Sequence, residues 1–77
     1  MGSDHDDSVK LPVRLTYWIK HNIEHAQEFR EWAQRAEASG LGDVASKLQD
    51  AALEMEQLNN HLQKALDLVS APGASEE

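Results

Sequence analysis

A chain of 77 residues without cysteine makes one domain at most and carries neither a disulfide staple nor a thiolate metal site. Its formal net charge of -7 argues against nucleic-acid phosphates as partners, and no stretch approaches the ~18 consecutive apolar residues of a membrane span. So short a chain has difficulty burying enough apolar surface alone, so stability must come from close helix packing, self-association or an ion held by nitrogen and oxygen.

The acidity is concentrated at the ends. Asp4, Asp6, Asp7, Glu76 and Glu77 lie in the terminal segments, which leaves nine acids against seven bases in the body. Residues 1–10 are polar, acidic and without apolar periodicity, and are predicted as a disordered tail. No apolar h-region of a signal peptide stands there. Gly2 begins a myristoylation pattern, but Asp6 occupies the place of the required Ser or Thr. The expected location is therefore the cytoplasm.

A first helix is predicted over about 11–39, with Pro12 at the first helical position, where its missing N–H costs nothing. Leu11, Trp18, His25 and Trp32 form one row at seven-residue spacing. Leu15, Asn22, Phe29 and Ala36 form a second, and Ile19, Ala26 and Ala33 widen the stripe. The tryptophans, Phe29 and Met55 are expected in the core. Gly40 is the expected left-handed cap after Ser39, with Leu41 making the accompanying apolar contact.

After a turn over 40–43, a second helix is predicted over about 44–70, with Asp43 as N-cap. Its rows are Leu41, Leu48, Met55, Leu62 and Val69; Val44, Ala51, Leu58 and Ala65; and Ala45, Ala52, Asn59 and Leu66. The small residues of the last row permit close helix approach. Pro72 and Gly73 stop the helix, and residues 71–77 are predicted as a second disordered tail. No strand pattern occurs.

Two helices of similar length joined by a tight turn make an all-α, antiparallel hairpin. Two helices alone leave wide aromatic faces half open, and Val13, Tyr17, Ile23 and Leu53 add apolar surface outside the stripe. A homodimer forming a four-helix bundle is the simplest way to cover them; a trimer of hairpins is the other closed solution.

The middle of the hairpin is polar where its ends are apolar. His21, His25 and Glu28 share one edge of the first helix. Glu54 and His61 share an edge of the second, at about the same height. Imidazole nitrogen and carboxylate oxygen suit a divalent transition metal ion such as nickel, zinc, iron, copper or manganese, and bundles build such sites from facing helices. The competing reading is a metal-free interaction module whose histidines form a hydrogen-bonded core layer. Asn22, level with Asn59, fits a register-setting residue better than a ligand. His21-Asn22-Ile23-Glu24-His25 matches the H-x-x-E-H pattern of inverted zinc peptidases, but that chemistry needs a substrate cleft, for which a two-helix chain has no room. With no nucleophile–base pair and no phosphate loop, an enzyme is not expected.

The run Tyr17–Trp32, with His21, Asn22, Glu24, His25, Glu28, Phe29 and Trp32 in an HNxEHAxEFxxW pattern, resembles a family of small uncharacterised helical-hairpin proteins of anaerobic bacteria and archaea, sometimes found beside nickel-handling proteins of the CooT type. The resemblance spans residues 11–69 and implies a role in transition-metal handling. A looser similarity is to ferritin-like bundles assembled from two-helix subunits. Those use a Glu-x-x-His ligand motif, whereas His25-x-x-Glu28 reverses that order, which speaks against iron oxidation.

Overall fold

The structure is a computed structural model that describes residues 3–70. Two helices, α1 (Ser3–Ala38) and α2 (Gly42–Ser70), fold back on each other as an antiparallel hairpin. No strand is present among the described residues, and no helix is long and apolar enough to cross a membrane. The second tail, residues 71–77, lies outside the described residues, as do Met1 and Gly2.

The start of α1 differs from expectation. The helix runs from Ser3 instead of Leu11, so most of the segment predicted as a disordered tail is helical, and Pro12 lies inside the helix. Pro12 has no N–H to give to the preceding turn; Thr16 Oγ1 donates to the Pro12 carbonyl at 2.8 Å. Val9 and Val13 on this stretch are 63% and 70% exposed.

The turn is a Schellman cap. Leu41 N–H donates to Ala36 O at 2.8 Å and Gly40 N–H to Glu37 O at 3.0 Å, with Gly40 at φ +81°. Both bonds satisfy carbonyls that the end of α1 would leave bare. The N-cap of α2 is Leu41, whose carbonyl accepts the first helical bond from Ala45 N–H at 2.9 Å. Asp43, expected as the N-cap, is the second residue of the helix, where its charge is favoured by the N-terminal end of the dipole.

The seam is made of two rows from each helix, alternating three and four residues apart. Pro12, Leu15, Ile19, Asn22, Ala26, Phe29, Ala33 and Ala36 face Ala45, Leu48, Ala52, Met55, Asn59, Leu62, Leu66 and Val69. All are buried or half-buried, and Leu15, Ala26, Ala33, Ala45 and Ala52 are the most deeply buried. Four of those five are alanine because the line between two closely packed helix axes has no room for more. Asn22 Nδ2 donates to Asn59 Oδ1 at 3.0 Å, and Asn59 Nδ2 donates to the Ile19 carbonyl at 3.1 Å. These bonds fix the register.

The row Leu11, Trp18, His25 and Trp32 is displaced from its expected place. It flanks the seam, with Trp18 40% and Trp32 56% exposed. The hairpin is therefore a slab, 56 × 20 × 14 Å, with two unlike broad sides. On one side Thr16, Ile23, Arg30 and Glu37 run beside Gln49, Glu56 and Gln63, and Arg30 donates to Glu56 across the seam. On the other, Leu11, Trp18, His25 and Trp32 run beside Val44, Ala51, Leu58 and Ala65. That second side is apolar, and its histidine stands at mid-height.

Candidate functional site

The histidines are held by a ladder of rings along α1. Tyr17, His21, His25 and Phe29 are spaced by four residues, so each step drifts by about 40° around the helix. The ladder begins at Tyr17, 59% exposed, and ends at half-buried Phe29 in the seam. Tyr17 stacks on His21 at 5.5 Å between centroids, His21 meets His25 edge-on at 4.4 Å, and His25 stacks on Phe29 at 6.0 Å.

Within the ladder three polar groups are linked in series. His25 Nδ1 lies 3.3 Å from Glu28 Oε1. His25 Nε2 lies 3.0 Å from His21 Nε2. A carboxylate only accepts, so this approach favours a proton on His25 Nδ1. In the neutral ring its Nε2 is then an acceptor, and His21 donates to it. Glu28 thereby favours one tautomer of His25, as carboxylates do beside imidazole ligands in metal sites.

Glu54 and His61 are placed differently. They are exposed on the outer edge of α2, on the same broad side as His21 and Glu28, which occupy the outer edge of α1. Equal height puts them level, but the width of two helices lies between the edges. Neither hydrogen-bonds to the His21–His25–Glu28 series. Glu54 borders a shallow hollow with Phe29, Ala51, Met55 and Leu58. Among the described residues, no three His, Asp or Glu side chains converge as a group that could hold an ion. The described residues of one chain thus offer two converging imidazole nitrogens.

The ring ladder was open to sequence reading, since four rings at i, i+4 spacing must line up on a helix. The Arg30–Glu56 bridge was not. Arg30 reads as part of a solvated face until the side of the seam is known, and only then does Glu56 stand opposite it.

Residues 11–69 match the family described as a domain of unknown function, DUF8180. An uncharacterised protein of Archaeoglobus fulgidus is 37% identical over 60 residues, spanning 78% of this chain and 95% of that protein. No solved structure matches. The matched stretch takes in the whole seam and all five candidate residues, and the chain belongs to this DUF8180 family.

Proposed function

We propose that this protein acts as a self-associating module, a homodimer of hairpins closing into a four-helix bundle, with a histidine layer at the interface. The observation that carries this is the apolar broad side, on which Leu11, Trp18, Trp32, Val44 and Leu58 are each 40% to 56% exposed. Among the described residues the fully buried part of the seam is four alanines and one leucine, a small core for a free-standing fold.

A second copy fits this side by area. The length shared by both helices is about 43 Å at 1.5 Å per residue. With a slab width of 20 Å, the side offers roughly 800 Å², the contribution of one partner to a standard-size interface. Its charges are mixed, with Arg14, Arg35 and Lys47 beside Glu28 and Glu54. Two chains that each carry -7 approach with least repulsion through such a side.

A second reading, binding of a divalent transition metal, is favoured by the 3.0 Å approach of His21 Nε2 and His25 Nε2. The nickel-type handling implied by the sequence resemblance belongs to it. Sedimentation equilibrium of the chelator-treated protein tests the primary reading. Dimers at micromolar concentration, with tryptophan emission shifting to the blue as they form, are expected; a monomer with fully solvated tryptophan emission overturns it.

A further inference from the structure

We infer that His21 and His25 form one half of a divalent-metal site, completed by the same pair from a second copy. The inference rests on the dimer proposed above and adds a ligand, a ligand set and a stoichiometry.

The distance between the two nitrogens is the starting point. A tetrahedral ion with metal–nitrogen bonds of about 2.0–2.1 Å holds ligand nitrogens roughly 3.3–3.4 Å apart, and His21 Nε2 and His25 Nε2, 3.0 Å apart, need only open slightly to match. The backbone already sets the spacing, because residues four apart on a helix stand one above the other. Glu28 Oε1, 3.3 Å from His25 Nδ1, favours a proton there, which leaves the Nε2 lone pair for His25 to offer. For an ion to take both Nε2 atoms, the proton between the two rings passes to His21 Nδ1, so the neutral pair binds without net proton release. His21 is exposed and held by ring contacts, so once its proton is on Nδ1 its ring can turn the Nε2 lone pair toward the ion.

Two imidazoles are half of a tetrahedral set. No third ligand converges among the described residues, but the pair stands on the apolar broad side, beside Trp18 and Leu58, where a two-fold axis would pass. A symmetric interface presents the same patch twice, so an axis beside the pair supplies four imidazole nitrogens to one ion. Glu54 and His61, on the far edge, are not needed.

The test uses the full chain, stripped with chelator and titrated with Zn²⁺ by calorimetry, with sedimentation run in parallel. One zinc per two chains is expected, bound by a dimer. His21→Ala and His25→Ala should each weaken binding at least 100-fold with the helical circular dichroism intact. Glu28→Gln should weaken it about 10-fold, and the ¹⁵N resonances of His25 should then show loss of its single tautomer. Glu54→Gln and His61→Ala should leave the affinity unchanged.

The outcomes separate the two proposals. A dimer in chelator that takes up no zinc overturns the site alone. A monomer that dimerises only on adding zinc supports the site and overturns self-association through apolar burial. One zinc per chain, or uptake that survives His21→Ala, overturns the shared pair. A monomer that takes up no zinc ends both.

Discussion

At the scale of single residues, the most informative contact is between Asn22 and Asn59. Each breaks an apolar row, and on sequence alone their equal height already pointed to a register device. The structure adds the chemistry: Asn22 Nδ2 donates to Asn59 Oδ1, and Asn59 reaches the Ile19 carbonyl. Removing one partner leaves a half-buried amide oxygen without its donor, which costs about 1 kcal/mol. Asn22→Ala should therefore lower stability by about that much in urea denaturation. Replacing both with leucine should do the opposite, because neither polar group is then left unpaired and the seam gains apolar contact. The cost should appear as loss of a single register, visible as broadened or doubled amide resonances. The tryptophans show where residue-level reading fell short. A stripe three rows wide tells which arc of a helix is apolar but not which two rows meet the partner. Only small side chains fit between closely approaching helices, so Ala26, Ala33, Ala45 and Ala52 took the centre and Trp18 and Trp32 were left at the edge.

At the scale of elements, the turn was legible and the start of α1 was not, for one shared reason. Glycine after a helix acts through a backbone conformation that other residues resist, so its signal survives any tertiary context. Proline at a helix start is only a preference, and Pro12 is carried within α1 at the expense of one hydrogen bond. The two turn glycines should separate cleanly by mutation. A Cβ on Gly40 would meet nothing within 4 Å, but the residue sits at φ +81°. Gly40→Ala should then cost about 1–2 kcal/mol from backbone strain alone. Gly42 has no such φ, and its Cβ would meet only Glu37 Oε1 at 3.9 Å. Gly42→Ala at the first position of α2 should raise stability by several tenths of a kcal/mol, up to about 0.8 kcal/mol. Thermal melts at one fixed concentration check both, since an associating protein melts higher when more concentrated.

At the scale of the whole molecule, the slab has two broad sides of equal size and opposite character, and any account of assembly must choose between them. Both carry an exposed branched apolar residue near mid-length, which makes a direct comparison available. Ile23 is 48% exposed on the side bridged by Arg30 and Glu56, and Leu58 is 46% exposed on the side with the tryptophans and His25. Glutamate at either position costs the isolated hairpin about the same, since each side chain is half in water. In the assembly the two changes are unlike. At Leu58 the new carboxylate would be buried among Trp and Leu side chains without a partner, a cost of several kcal/mol. At Ile23 it would remain in solvent beside Arg30. Leu58→Glu should therefore shift sedimentation from dimer to monomer at concentrations where Ile23→Glu stays dimeric. It should also abolish zinc uptake at the histidine pair without touching either imidazole. The reverse pattern would place the interface on the polar side, away from His21 and His25, and the half-site would have no second half to meet.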